Sequence, residues 1–197
     1  MAAKFKSFGI PATAEKSPSG WSIPAVRMPD GTYIMDSRKI ADALEMLKPE
    51  PSLQLNSGYV ERTQQAIQDA QDALTPVVIP KVPALLLNSP SADYFYETRK
   101  VRFGMTLPEL AKSAKGGEVA WESAGPALQA LAGILHENDG GPFVLGEQAS
   151  YPDMILAGYW AFLKKLDEGD IFERMLGTDA AFAKHWEAVQ VVLHRDN

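Results

Sequence analysis

Residues 154–166 carry Ile155, Leu156, Tyr159, Trp160, Phe162, Leu163 and Leu166, and their spacing predicts a helix that is apolar on nearly every face. A helix with no polar face has to be surrounded by other elements. This one segment therefore demands a helical bundle with a central member. Just before it stands Ser150-Tyr151-Pro152-Asp153, which reads as a capping box with Asp in the fourth position. A proline is tolerated in a first turn. Such caps contribute about 0.5–2 kcal/mol, so Ser150 and Asp153 are expected to be structural rather than catalytic.

The surroundings of that helix supply its partners. Val60, Ile67, Leu74 and Val78 form one long helical stripe, in which Pro76 predicts a kink. Ser91 is the expected cap of a helix with Tyr94, Thr98 and Val101, closed by Gly104. Trp121, Ala124, Leu128, Leu131 and Leu135 recur at helical spacing. A loop over 138–142 follows, and Thr178 is the expected cap of a last helix bearing Phe182, Trp186, Val189 and Leu193. Trp121 and Trp160 are both assigned to the core.

Residues 20–47 obey a different pattern: strand, turn, strand, helix. The first strand is placed at 21–26, with Pro24 marking an edge, a bulge or a cis bond. Met28-Pro29-Asp30-Gly31 is a tight-turn signal, and a second strand spans 32–35. Asp36 or Ser37 then caps a helix whose apolar face is Ile40, Leu44 and Leu47, and Lys48-Pro49-Glu50-Pro51 stops it. The expected class is α+β, mostly α. It comprises a small unit of two strands and a helix over residues 1–50, then an all-α domain over 57–197.

Charge and composition narrow the function. The net charge of −6 and pI ≈ 5.1 speak against nucleic-acid and anionic-membrane surfaces, both of which require a basic face. There are no cysteines, which removes disulfides, thiolate metal sites and thiol nucleophiles from this chain and suits a cytoplasmic location. The longest apolar stretch, 76–87, is short and interrupted by Lys81 and prolines, so no membrane span is expected. His136 ends a helix, where a cation suits the dipole. His185 lies beside the Phe182–Trp186 stripe and His194 near the C-terminus. Their spacing suggests no metal site.

The order of these elements resembles that of the cytosolic glutathione transferases, over essentially the whole chain, which implies that 1–50 is a partial thioredoxin-like unit and 57–197 the family's helical C-terminal domain. Ser22-Ile23-Pro24 resembles the family's Val-Pro motif, whose proline is cis, and Asp36-Ser37 its acidic-Ser motif. Phe143-Val144-Leu145-Gly146 with Ser150-Tyr151-Pro152-Asp153 resembles the F-L-x-G segment and capping box that precede the family's buried helix. The run from Thr98 to Met105 is similar to a stretch of the etherase-related branch of fungi and bacteria.

The resemblance implies glutathione as cosubstrate. The main chain at Ile23 and Pro24 would pair with the cysteinyl backbone, and Asp36 and Ser37 would bind the γ-glutamyl end. It also implies an apolar electrophile as the second substrate, held between the domains, with Tyr59, Arg62, Arg99 and Phe103 as wall positions, and a homodimer. Taken by themselves, Pro24 shapes a strand, Asp36 or Ser37 caps a helix, Arg62 lies on a solvated face and Phe103 packs between helices. The family's first β-α-β unit, with the catalytic Ser, Tyr or Cys after its first strand, has no counterpart in this sequence, and residues 1–10 resemble the tail of its second helix. Conventional conjugating activity is therefore expected to be weak or absent. The alternatives are a glutathione-independent pocket protein that guides cyclisation or isomerisation of an apolar metabolite, and a non-enzymatic interaction module.

Overall fold

The computed structural model describes residues 2–14, 17, 19–138, 140–166 and 170–193. Asp139 of the predicted loop and His194 lie outside them. The chain divides into two compact units, Met1–Leu55 and Asn56–Asn197.

The first unit holds α1 (Ala2–Ser7), β1 (Ala25–Arg27), β2 (Tyr33–Met35) and α2 (Ser37–Leu47). β1 and β2 pair antiparallel, with Val26 opposite Ile34. The turn between them closes through Gly31 N–H donating to the Met28 carbonyl at 2.9 Å. Asp30 accepts from both the main chain and the hydroxyl of Thr32, at 2.9 and 2.7 Å. The first strand is shorter than the predicted 21–26. Pro24 has no N–H to give a ladder, and the chain before it belongs to a loop instead. Trp21 anchors that loop: it is buried, and its indole N–H donates to the Ile10 carbonyl at 3.0 Å.

The second unit is helical: α3 (Tyr59–Val78), a 3-10 turn (Ile79–Lys81), α4 (Val82–Leu86), α5 (Ser89–Phe103), α6 (Leu107–Ala111), α7 (Glu118–His136), α8 (Tyr151–Leu166), α9 (Ile171–Leu176) and α10 (Ala180–Leu193). α3 runs through Pro76 before tightening into the 3-10 turn. As its composition demands, α8 lies at the centre, packed by α3, α4, α9 and α10. Leu156, Trp160, Leu163 and Leu166 are completely buried. Trp121, in contrast, is half-buried, with the Arg174 guanidinium 4.5 Å from its ring centre.

Two caps differ from the sequence expectation. Asn88, not Ser91, opens α5, its side chain accepting from Ser91 N–H at 3.1 Å. Asp179, not Thr178, accepts from Ala181 N–H at the start of α10, at 2.8 Å. Thr178 instead donates its hydroxyl to the Arg174 carbonyl, where α9 ends. In both places a side chain of the Asx type with a carbonyl oxygen wins over a nearby hydroxyl, in line with the cap preference.

The box at α8 makes more bonds than a cap requires. Asp153 accepts from Ser150 N–H and Ser150 hydroxyl, each at 2.7 Å, and from Val144 N–H at 2.8 Å. Val144 belongs to a tight turn in which Phe143 and Gly146 exchange main-chain bonds of 3.1 and 3.0 Å. Gly141 packs against that turn so closely that a Cβ there would sit 2.3 Å from the Gly146 carbonyl oxygen, so only glycine fits.

Candidate functional site

In the first unit, sequence-predicted residues converge on one cavity of about 450 Å³. Its walls include Ser22, Ile23 and Pro24 on one segment and Asp36 and Ser37 at the start of α2. The Ile23–Pro24 peptide is cis, and the Ile23 side chain is 73% exposed. Neither the N–H nor the C=O of Ile23 has a hydrogen-bond partner among the described residues. Main-chain groups left in this state next to a cavity can pair with an extended peptide-like ligand.

Asp36 holds the N-terminus of α2 in place. Its side chain accepts from Arg38 N–H at 3.0 Å, and its own backbone sits at φ 82°, a conformation costly for any residue with a side chain. Outliers of this kind concentrate where a ligand must be met. The position after it, Ser37, is exposed, and its hydroxyl has no partner among the described residues. The first turn of an eleven-residue helix directs N–H donors and a positive dipole end towards whatever occupies this corner. The cavity thus combines two unpaired main-chain groups, a free hydroxyl and a helix N-terminus. That donor set fits a peptide with a terminal carboxylate, and glutathione is such a molecule. Sequence reasoning did not anticipate Thr13, Ala14 and Ser17, which complete the wall. Nothing in their local pattern separates them from ordinary loop.

Of the four expected wall positions in the second unit, Tyr59 and Arg62 lie together, whereas Arg99 and Phe103 each have other partners. Tyr59 donates its hydroxyl to Glu137 at 2.9 Å. Arg62 forms a bidentate pair with the same carboxylate while lying 5.0 Å from the Tyr59 ring centre. Hydrogen bonds from Arg62 and then from Tyr59 hold the Glu137 carboxyl down at about 2. Asn138 adds a bond to Tyr59 and another, of 2.7 Å, to the Val144 carbonyl. These groups fasten the start of α3 to the end of α7. Arg99 stacks 4.1 Å from the Phe95 ring centre and bonds to Thr98, while Phe103 is half-buried with Arg102 5.5 Å from its ring centre. No hydrogen bond, ion pair or ring contact among the described residues joins Tyr59 and Arg62 to Arg99 or Phe103.

The two described histidines, His136 and His185, are used structurally. His136 pairs with Asp179 at 3.0 Å. His185 is fully buried between Trp160 and Asp153, a role its position beside an apolar stripe did not reveal. No described helix is long and apolar enough to cross a membrane. Among the described residues no three His, Asp or Glu side chains converge as metal ligands.

A family model described as the glutathione S-transferase C-terminal domain matches residues 61–191. A search of curated proteins finds no match. Among solved structures, glutathione S-transferase CsGST83044 of Ceriporiopsis subvermispora, in complex with glutathione, is similar at 26% identity with a TM-score of 0.72. That match covers 97% of this chain and 80% of the other. A second protein of that fungus, CsGST63524, also in complex with glutathione, is similar at 25% identity with a TM-score of 0.76, over 96% of this chain and 79% of the other. Glutathione transferase GSTFuA3 of Phanerochaete chrysosporium gives 25% identity and a TM-score of 0.77, over 95% and 78%. With the family model spanning most of its helical unit and these structures covering nearly its full length, the chain belongs to the glutathione S-transferase family.

Proposed function

We propose that this chain binds glutathione in the cavity of its first unit. The observation that carries the reading is the unpaired main chain of Ile23 beside the uncommitted hydroxyl of Ser37. The cysteinyl backbone of the tripeptide pairs with Ile23. The γ-glutamyl carboxylate takes the Ser37 hydroxyl and the N-terminus of α2, where dipole and donors favour an anion. Two of the similar structures were solved with glutathione, which supports the same ligand here. We further infer an apolar electrophile as the second ligand, with Tyr59, Arg62, Arg99 and Phe103 nearest to it, and membership of the fungal, etherase-related branch. A cytoplasmic location accords with the lack of cysteine.

Titration calorimetry with glutathione tests this reading. Saturable binding is expected, and Ser37→Ala should weaken it about tenfold, the worth of a hydrogen bond to a charged group. Absence of heat at millimolar glutathione, or an affinity unmoved by Ser37→Ala, would refute it. We also infer a homodimer, because each strand of a two-stranded sheet leaves one edge open to another chain. Analytical ultracentrifugation at micromolar concentration checks this, and a monodisperse monomer would count against it.

A further inference from the structure

Met35 closes β2, directly before Asp36 and Ser37, and belongs to the wall of the cavity in the first unit while being only 4% exposed. Its backbone lies opposite Ala25, the first residue of β1. The next donor along β1 would be Pro24, which has no N–H to give, so the ladder ends there. One step further out, the Ser22 N–H donates to the thioether of Met35 at 3.4 Å. A side chain thus takes over where the backbone pairing stops.

That bond ties down the stretch that carries Ile23. Upstream of it Trp21 is buried, and its carbonyl accepts from the Ser17 hydroxyl at 2.7 Å. Downstream, β1 begins at Ala25. Between these anchors the Ile23 side chain is exposed and its main chain has no partner among the described residues. Burial at position 35 would be served equally by leucine, which matches methionine in volume. Only the thioether adds an acceptor, and a weak one. With an apolar side chain in its place, Ser22 would lose its hold on β2 and the Ile23 main chain would be free to swing.

We propose that Met35 is a positioning residue for the peptide ligand of this cavity. Its sulfur holds Ser22 and so presents the Ile23 main chain in register with the Ser37 hydroxyl, two residues beyond Met35 in the sequence. A segment that is already ordered does not have to be ordered by the ligand, and the affinity is higher for it. This rests on the reading of the cavity as a glutathione site.

The test removes the sulfur and keeps the shape. The full chain is prepared with norleucine in place of every methionine, which puts a methylene where the sulfur was, and separately with selenomethionine, which keeps an acceptor. Among the described residues Met35 is the only methionine in the cavity wall, and Met35→Leu in the ordinary protein confirms the position. Calorimetric titration should show the norleucine protein and Met35→Leu binding glutathione about threefold more weakly per folded molecule, the worth of one modest hydrogen bond. The selenomethionine protein should bind as the parent does. Amide hydrogen exchange at Ser22 should be faster in the norleucine protein than in the parent. Glutathione binding that survives the loss of sulfur would overturn the proposal and leave the reading of the cavity intact. Absence of binding to the parent would overturn both. Unchanged exchange at Ser22, or an equal loss of affinity in the selenomethionine protein, would also overturn the proposal, since the affinity would then not follow the acceptor.

Discussion

Nε2 of His185 lies 3.1 Å from Oδ1 of Asp153, and both side chains are completely buried. On the other side of the ring, Trp160 donates its indole N–H to Nδ1 at 3.1 Å. An indole nitrogen can only donate, so Nδ1 is an acceptor and the ring proton sits on Nε2, directed at the carboxylate. The cap of α8 is thereby wired through α10 to the core tryptophan of α8 itself.

Asp153→Ala should therefore cost more than a cap. Four donors lose their acceptor, among them the buried His185 and the Val144 main chain. Each buried donor left without an acceptor costs about 1–3 kcal/mol, so the total should exceed the about 0.5–2 kcal/mol of a cap alone. Chemical denaturation is the measurement. A loss within the capping range would mean that the His185 contact contributes nothing. Glutathione affinity per folded molecule should stay unchanged.

This contrast shows what was legible in the residues. Ser150 and Asp153 lie three residues apart in sequence, so the box could be read directly. His185 lies far along the chain, and its meeting with Asp153 and Trp160 is a product of tertiary packing. The central place of α8 followed from its composition, whereas the cap of α2 was narrowed only to Asp36 or Ser37, of which the fold uses Asp36. The choice of Asn88 over Ser91 did not, because both residue types cap well and only the packed helix start decides between them. The first cavity was foreshadowed by Ile23, Pro24, Asp36 and Ser37. The buried, unpaired hydroxyl of Tyr159 was not legible, since it exists only after folding.

Acid should unfold the helical unit for an identifiable reason. Burial alone would raise the Asp153 carboxyl, but the bonds from His185, Ser150 and Val144 outweigh it and leave it below 3.8. Glu137 is held at about 2, against 4.5. A carboxyl depressed in the folded state contributes stability above its unfolded value and loses it as pH falls towards the folded one. The melting temperature should be flat between about pH 7 and 5 and fall below pH 4.5. Arg62→Gln should soften the fall between 4.5 and 2 by only a small amount, because its pair with Glu137 is solvent-exposed. A profile that declines already from neutral pH would assign the acid sensitivity to another group.

Asp36 should show a conflict between stability and binding. Its φ of 82° costs about 1–3 kcal/mol in a residue with a side chain. Asp36→Gly removes that cost, and glycine is worth only a few tenths of a kcal/mol less as a cap. The variant is expected to melt no lower than the parent, while its glutathione affinity falls because the acidic cap no longer holds the first turn of α2. Asp36→Ala keeps the backbone cost and loses the cap, so it should melt lower than both. Equal melting of the Gly and Ala variants would mean that the backbone at this position stores no strain.

The Tyr159 hydroxyl makes an unusual demand in the opposite direction. It is buried without a partner, and such a group costs about 1–3 kcal/mol relative to an apolar one of the same shape. The ring is well placed regardless, 5.4 Å from the centre of Trp160. Tyr159→Phe should therefore stabilise the ligand-free protein by about 1 kcal/mol. For a chain of this size that is a rise of about 2–4 °C in melting temperature. Thermal melts of both proteins check this. A parent that is the more stable of the two would mean that its hydroxyl is satisfied in the folded protein.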